Sequence, residues 1–423
     1  MSEPPAPLSG GAYLRLVGLG AVIGIPAAFV AALFLALVHD IEHWLWTSLP
    51  DALGYSHPPW YLVIGLPVVG ACVVLFARRT LPGDGGHPPL EGISEGATPV
   101  AYAPGIALAA FGTLCFGMVL GPEAPLIALG SVVGMVVALS GMFAPREQAV
   151  LATAGSFSAV SAIFGGPLVA GILLVEGGVS MGAALLPVLL PGFVAAAIGY
   201  VIFIGLGNWG GLSTQDLAVS NLPPYNGTHV YDLLVAVIVG IAAALVITVV
   251  RRAAGTVSGR GLERLGTPAL LLGGGLAVGL VAQTADWLGA DSQDVLFSGQ
   301  SGLPAVAFAD STKIVLLLLA GKSIGYAISL GSGFRGGPIF PAIFLGVALA
   351  ELAHVWFGVS PTFAVAAGAA AGTAAATRLL ITSSVLAALL VGSAGQDAVP
   401  AAVLAAAAAW LTMQALDRRA AAA

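Results

Sequence analysis

The chain has 423 residues, of which 58% are hydrophobic and only 8% are charged. Its mean hydropathy is +1.00, and this scarcity of charge excludes an ordinary water-soluble globular protein. The net charge of −6 is spread over short polar segments, and the lack of a basic patch excludes a nucleic-acid-binding protein. The composition therefore predicts an all-α polytopic membrane protein with no cofactor, no metal and no nucleic-acid partner.

The 58 glycines and 27 prolines predict how these helices pack. Hydrophobic force does not press helices together inside a bilayer, so close backbone contact at small residues supplies the packing. Several apolar runs are also shorter than the roughly 20 residues that a perpendicular span needs. We therefore expect tilted and broken helices, some of which meet near the midplane of the membrane.

Apolar runs, taken in chain order, divide the protein into two halves. A polar tail over residues 1–12 precedes a first membrane repeat over residues 13–206. A polar segment over residues 207–231 leads to a second membrane repeat over residues 232–416, and residues 417–423 form a polar end. The individual runs cover 13–38, 60–77, 104–120, 123–143, 148–163, 166–176, 182–206, 232–250, 268–285, 313–331, 338–353, 361–376, 379–392 and 399–416.

The placement of arginine predicts the orientation in the membrane. The segments 39–59, 207–231 and 286–311 contain neither arginine nor lysine. Arginines instead follow the runs that end near residues 77 and 250, and they recur near the C-terminus: Arg78, Arg79, Arg251, Arg252, Arg260, Arg264, Arg418 and Arg419. By the positive-inside rule, both termini are expected in the cytoplasm of a protein of the cell membrane, with residues 207–231 outside.

One short pattern occurs twice and marks the predicted centre of the protein. Residues 121–130 read GPEAPLIALG and residues 337–346 read GPIFPAIFLG, so both copies follow G-P-x-x-P-x-I-x-L-G. Their offset, 337 minus 121, is 216 residues, or about half the chain. Interrupted apolar segments in matching positions of two halves indicate inverted-topology repeats with a binding site at the repeat interface.

Each copy begins a predicted helix at a Gly-Pro pair, because proline suits the first helical turn. A helix N-terminus exposes unpaired N–H groups and about half a positive charge, so two such ends that converge bind an anion. The alternative is that both breaks only allow close helix packing. Lys322 and Arg335 flank the second copy and are expected to cap carbonyl groups or form ion pairs; attraction of anions is the alternative.

Glu123 lies in the first copy and is the only charged residue between Glu95 and Arg146. A carboxylate in such an apolar region indicates a functional site. It is electrostatically favoured in the first turn of its helix, so it is predicted to occupy the anion site and to leave when it is protonated.

These motifs resemble those of the CLC chloride channels and chloride/proton antiporters. Residues 121–125 (GPEAP) resemble the family's G-R-E-G-P, and residues 331–341 (GSGFRGGPIFP) resemble its G-S-G-x-x-G-G-x-F-x-P. Residues 84–92 (DGGHPPLEG) lie where the family has G-S-G-I-P-E-x-E-G, and residues 164–176 resemble the next helix pair. The resemblance covers about residues 13–416. It implies a homodimer in the lipid bilayer, with one anion pathway per subunit and Glu123 as its gate.

The resemblance also implies the substrate and its ligands. Chloride or another small anion is expected to move, with protons as the exchanged ion in an antiporter. The family's relay position aligns with Gly177, so Glu176 is expected to make a structural hydrogen bond, and a role in the proton pathway is the alternative. The family's serine aligns with Gly85 and its central tyrosine falls near Gly395, so the choice among chloride, fluoride and nitrate stays open. The implied anion-binding residues are Gly85, Gly86, His87, Gly121, Ala124, Gly337, Ile339 and Phe340.

The residues alone leave two other functions open. Broken-helix ends also bind carboxylates, so a transporter of a small carboxylate is one alternative. A membrane-embedded enzyme would need a nucleophile–base pair, and Ser156 and Ser158 have only the distant His354 as a partner in an apolar run. His39 and His43 have the spacing of metal ligands, but they are interpreted as polar anchors at a helix end.

Overall fold

In the computed structural model, residues 10–92, 96–141, 143–179, 182, 185–210 and 217–422 are described. Every regular element in these ranges is helical, and α1 continues into a π-helical turn. The α-helices are α1 (Gly10–His43), α2 (Leu49–Ala52), α3 (Trp60–Thr80), α4 (Ala103–Leu114), α5 (Glu123–Ser140), α6 (Pro145–Ile163), α7 (Pro167–Gly177), α8 (Leu186–Gly210), α9 (Val230–Trp287), α10 (Ser292–Val295), α11 (Leu303–Ala307), α12 (Thr312–Gly331), α13 (Ile339–Phe357), α14 (Pro361–Thr377), α15 (Leu380–Val391) and α16 (Val399–Ala422).

Helices that can cross a membrane dominate the structure, which confirms the predicted all-α membrane protein. Large apolar side chains such as Leu14, Phe29, Ile238 and Leu411 are exposed, as is typical of a surface that faces lipid. Eight helical segments among the described residues are long and apolar enough to span: Gly10–Ala52, Trp60–Thr80, Glu123–Ser140, Leu186–Asn208, Val230–Trp287, Thr312–Gly331, Ile339–Phe357 and Leu380–Ala420.

The predicted loop after residue 250 is wrong as far as Leu265, because the chain stays helical up to that residue. The element α9 covers both runs, 232–250 and 268–285, as two helical stretches that join at Gly266. The helix bends at Gly266, whose φ of 73° lies in the left-handed region that glycine tolerates best. The connection contains arginines and several glycines, a composition that favours a loop by helix propensity, so its helical structure was not predictable from the sequence.

The predicted run 104–120 is also only partly helical. The helix α4 ends at Leu114, and the next eight residues lead to Glu123 without regular structure. Their backbone finds partners on other elements: Trp46 Nε1 donates to the carbonyl oxygen of Cys115 at 2.9 Å, and the amide of Val119 donates to Ser329 Oγ at 3.1 Å. Irregular backbone at membrane depth needs such buried partners.

The first of two compact units comprises residues up to Ala36, the segment Glu95–Ala103 and Leu126–Gln215. Its helices α6 and α8 pack together, and Ser158 Oγ of α6 donates to the carbonyl oxygen of Gly24 at 2.8 Å. Hydroxyl-to-carbonyl bonds of this kind join helices where lipid supplies no hydrophobic force.

The second compact unit comprises Leu37–Ser94, Pro104–Pro125 and Asp216–Ala423. In this unit α13 packs on α14, and α9 lies against α3, α12, α14 and α16. Every residue from 334 to 348 is buried, so the start of α13 lies deep in the unit. The two compact units are defined by contacts in space, whereas the repeats at 13–206 and 232–416 are defined by symmetry. The repeats therefore stay a prediction.

Close packing of α13 on α14 generates a prediction. A Cβ atom at Gly368 would overlap backbone atoms of Gly346 and Val347, so we expect Gly368→Ala to force the two helices apart. The apparent melting temperature of the purified protein in detergent should fall by several degrees.

The matched control is Gly273→Ala on the exposed side of α9, where an added Cβ meets no atom within 4 Å. Alanine favours a helix over glycine by about 1 kcal/mol, so this variant should melt at the same temperature as the unmodified protein or slightly higher. Equal melting temperatures for the two variants would contradict the packing argument.

Candidate functional site

The two copies of the repeated motif meet at Gly121 and Gly337. The amide of Gly121 donates to the carbonyl oxygen of Gly337 at 2.8 Å. The amide of Gly337 in turn donates to the carbonyl oxygen of Gly121 at 2.6 Å. The two glycines hold equivalent positions in the motif, and their reciprocal pairing has the twofold symmetry expected of inverted repeats. A side chain at either position would overlap the carboxylate of Glu123, so glycine is required for this approach.

The carboxylate of Glu123 lies at the N-terminus of α13. The helices α5 and α13 begin at Glu123 and Ile339, which are equivalent positions 216 residues apart. Glu123 Oε1 accepts a hydrogen bond from the amide of Ile339 at 2.5 Å. The amides of Phe340 and of Glu123 itself also interact with the carboxylate. A helix N-terminus with free amides and a partial positive charge thus binds a carboxylate from the other half of the chain.

Glu123 is completely buried, and only part of its carboxylate is satisfied. Its relative exposure is 0%, and Oε2 has no hydrogen-bond partner among the described residues. An unpaired buried acceptor costs about 1–3 kcal/mol. The arrangement therefore satisfies one oxygen of the carboxylate and leaves the other without a hydrogen bond from the described residues.

Tyr326 on α12 is a polar residue at this site that sequence analysis did not identify. Its side chain is buried, and its hydroxyl donates to the carbonyl oxygen of Pro338 at 2.8 Å. Pro338 directly precedes Ile339, and Glu123 interacts electrostatically with the Tyr326 hydroxyl. A single tyrosine in an apolar helix is typical of a core residue, so the sequence contains no signal that would single it out.

A second cluster of charged side chains surrounds the predicted anion-binding loop at Gly85. The carboxylate of Asp84 accepts hydrogen bonds from Arg78 Nε at 2.8 Å, from Arg78 Nη2 at 2.9 Å and from Arg335 Nη2. Arg335 Nε also donates to the Asp84 carbonyl oxygen at 3.0 Å, and Arg78 Nη1 donates to the carbonyl oxygen of Gly333 at 3.0 Å. These bonds join the 84–92 motif to the 331–341 motif.

The predicted anion-binding residues fall into two groups. Gly121, Gly337, Ile339 and Phe340 surround Glu123, and Ala124 follows as the second residue of α5. A buried N–H group needs a hydrogen-bond acceptor. The amides of Gly121 and Gly337 find theirs in the carbonyl oxygen of the other glycine. The amides that interact with the carboxylate are therefore those of Ile339, Phe340 and Glu123 itself.

Gly85, Gly86 and His87 belong to the Asp84 cluster instead. Gly85 and Gly86 have φ values of 72° and 105°, and a Cβ on Gly85 would crowd the side chain of Arg78. The amide of Gly86 donates to the carbonyl oxygen of Gly83 at 2.9 Å. His87 Nδ1 lies 3.9 Å from a carboxylate oxygen of Glu91.

Glu176, the predicted proton-pathway residue, lies in the first compact unit at the C-terminal end of α7 and is half-buried. Gly177, at the expected relay position, is the last residue of this helix.

Lys322 has a structural role in the second unit. Its ammonium group donates to the carbonyl oxygens of Asp294 at 3.0 Å and Leu296 at 2.5 Å and lies 4.7 Å from the ring centroid of Phe344.

Known proteins are similar to this chain in sequence and in fold. The model of the voltage gated chloride channel family matches residues 89–413. YfeO of Escherichia coli (strain SMS-3-5 / SECEC), a protein provisionally named for ion transport, is 29% identical over 362 residues that cover 81% of this chain and 79% of YfeO.

Two solved structures have the same fold. A slow cyanobacterial Cl⁻/H⁺ antiporter superposes with a TM-score of 0.75 at 20% identity and 95% coverage of both chains. A CLC-type fluoride/proton antiporter superposes with a TM-score of 0.72 at 18% identity, covering 96% of this chain and 98% of the other. The CLC fold and the family match together show that this chain belongs to the voltage-gated chloride channel (CLC) family, whose members are channels and transporters rather than enzymes.

Proposed function

We propose that this protein moves small inorganic anions across the membrane, with chloride as the first candidate, and that Glu123 is the gate of the pathway. The observation that carries the proposal is the buried Glu123 carboxylate bound by the Ile339 amide at the start of α13. Donors that bind a tethered anion at this depth also suit a free one. Membership of the CLC family supports the same conclusion.

The proposed mechanism is competition between Glu123 and the permeating anion for one set of backbone amides. Protonation neutralises the carboxylate and removes its attraction to the helix N-terminus, which frees the amides of Ile339 and Phe340 for an anion. Backbone donors hold an anion without a full opposite charge, and this permits release as well as binding. If Glu123 leaves only when protonated, anion movement is coupled to protons; if it leaves unprotonated, the protein is a channel.

The remaining parts of the proposal follow from the family resemblance. We propose a homodimer in the plasma membrane with both termini in the cytoplasm, where the positive-inside rule puts Arg78 and Arg251. The family's relay position is Gly177 in this chain, and glycine carries no proton. Glu176, the residue directly before it, is therefore the candidate carboxylate for the proton pathway. The names of the two solved neighbours, a chloride/proton and a fluoride/proton antiporter, support the coupled mode.

Reconstitution into chloride-loaded liposomes tests the gate. Under an outward chloride gradient, the unmodified protein should release chloride and take up protons, recorded by chloride and pH electrodes. Glu123→Gln removes the titratable gate, so chloride efflux should persist while proton uptake is lost. Glu351→Gln is the matched control, because Glu351 is also completely buried and its carboxylate oxygens accept no hydrogen bond from the described residues, but its nearest charged contact is His354 at 3.9 Å, outside the site. It should retain proton uptake.

Each other outcome changes a defined part of the proposal. Chloride efflux without proton uptake by the unmodified protein would establish the channel mode. Loss of proton uptake in Glu176→Gln alone would place Glu176 on the proton pathway. Movement of fluoride or nitrate but not chloride would replace the substrate, and movement of formate or acetate alone would favour the small-carboxylate transporter. Equal behaviour of the Glu123→Gln and Glu351→Gln variants would contradict the gate.

The hydrogen bond from Tyr326 to Pro338 generates a second prediction at this site. Tyr326→Phe removes only the hydroxyl that fixes the carbonyl next to the Ile339 amide. One such bond is worth about 0.5–1.5 kcal/mol, so the chloride concentration for half-maximal efflux should rise roughly two- to tenfold.

Tyr225→Phe is the control for Tyr326→Phe. Tyr225 is also a buried tyrosine, but its hydroxyl donates to Asp232 at 2.5 Å, away from the repeated motif. This variant should leave the chloride dependence unchanged. A similar shift in both variants would show that Tyr326 has no specific effect on the anion site.

A further inference from the structure

Asp84 is held between two arginines that solvent hardly reaches. The side chain of Arg335 is 5% exposed and that of Arg78 is 15% exposed, whereas the side chain of Asp84 is 58% exposed. Arg78 binds the carboxylate through two nitrogens, and Arg335 binds it through Nη2. The Asp84 carboxylate therefore lies on the solvent side of the two guanidinium groups.

Two guanidinium groups face a single carboxylate here, which leaves excess positive charge. Glu91 also acts on Arg335, but its side chain is 66% exposed, and its ion-pair contact, at 3.9 Å, is with His87. Buried guanidinium groups require an anionic or hydrogen-bonding partner, and their planar donors are well suited to small anions. Without Asp84, these two side chains would offer a nearly buried anion site.

This arginine pair is close to the proposed gate. Arg335 is two residues before Gly337, so their Cα atoms are within about 7 Å of each other. The Arg335 amide donates to Thr113 Oγ1 at 3.2 Å, which fixes the backbone between the two clusters. Asp84 also directly precedes Gly85, the first residue of the predicted anion-binding loop.

We propose that Arg78 and Arg335 form a second anion-binding site at the arginine-rich end of the pathway, and that the Asp84 carboxylate is its tethered occupant. A small inorganic anion binds between the two guanidinium groups by displacing Asp84. This inference rests on the proposed function and extends it, because it adds a second position at which a carboxylate and the transported anion compete.

The two competing carboxylates respond to different signals. Partial burial favours the neutral acid at Asp84, but hydrogen bonds and charges from Arg78 and Arg335 outweigh it and hold the pKa below its ordinary value of 3.8. Asp84 therefore stays charged near neutral pH, and protons do not release it there. Its displacement depends on the concentration of the competing anion.

Removal of the Asp84 carboxylate tests the inference. Asp84 has a φ of 47°, a left-handed conformation that asparagine and glycine tolerate, so Asp84→Asn and Asp84→Gly both remove the charge at little conformational cost. Both are made in the Glu123→Gln background, which removes the competitor at the gate. Chloride is titrated calorimetrically into the purified full-length protein in chloride-free detergent. Each double variant should show a further chloride-binding event that is tighter by about tenfold or more than any in Glu123→Gln alone.

Asp417→Asn in the same background is the matched control. Asp417 binds Arg378 at 2.7 Å and its side chain is 60% exposed, close to the value for Asp84, but among the described residues its carboxylate pairs with this one guanidinium group. No additional binding is expected there. If neither Asp84 variant folds, Arg78→Lys in the Glu123→Gln background supplies the test, because lysine keeps the charge but lacks the planar donor pair of the proposed site. Chloride binding that competes with Asp84 should then be weaker than in Glu123→Gln alone.

The outcomes separate this inference from the proposed function. If the unmodified protein transports chloride and Glu123→Gln binds it, but no Asp84 variant binds more tightly and Arg78→Lys leaves binding unchanged, the second site is overturned. The same holds if Asp417→Asn gains binding equally, because any freed arginine would then suffice. If the unmodified protein moves no small anion and Glu123→Gln binds none, the proposed function fails, and tighter binding in the Asp84 variants would still support the arginine site.

Discussion

The fit of the Glu123 carboxylate against the start of α13 depends on two glycines. Gly121 and Gly337 bring the two halves of the motif into backbone contact, and their reciprocal hydrogen bonds satisfy amides that would otherwise be buried without partners. Because neither has a side chain, the carboxylate reaches the Ile339 amide. A larger residue at either position would occupy the space of the carboxylate, so the site requires the close approach of these two backbones.

The sequence predicted this centre because its signals are local and repeated. A Gly-Pro pair indicates a helix start, and two copies at a fixed offset indicate equivalent positions in two halves. The structure pairs those equivalent positions, Gly121 with Gly337 and Glu123 with Ile339. Gly121 and Gly337 stay predicted anion-binding residues, and spacing along the chain does not reveal that the amide of each donates to the carbonyl oxygen of the other.

The parts that could not be predicted depend on contacts between distant segments. Tyr326 reaches Pro338 from another helix, and an apolar helix with one tyrosine has the pattern of any buried helix. The irregular chain after Leu114 is as apolar as the helix before it, so only its partners, Trp46 and Ser329, distinguish it. Hydropathy measures the cost of leaving water and does not report which buried backbone groups are paired.

In both the Asp84 cluster and the Glu123 site, a carboxylate is bound by hydrogen-bond donors, but the donors differ in chemistry. At Glu123 the donors are uncharged amides and the carboxylate is fully buried, so the proposed competition between this carboxylate and a free anion would depend on protonation. At Asp84 the donors are guanidinium groups that keep the carboxylate charged, so protonation has little influence there. If both carboxylates compete with the same permeating anion, proton concentration acts at one position and anion concentration at the other. The loop from Gly333 to Gly337 contacts both, which makes its backbone the element through which occupation of one position can affect the other.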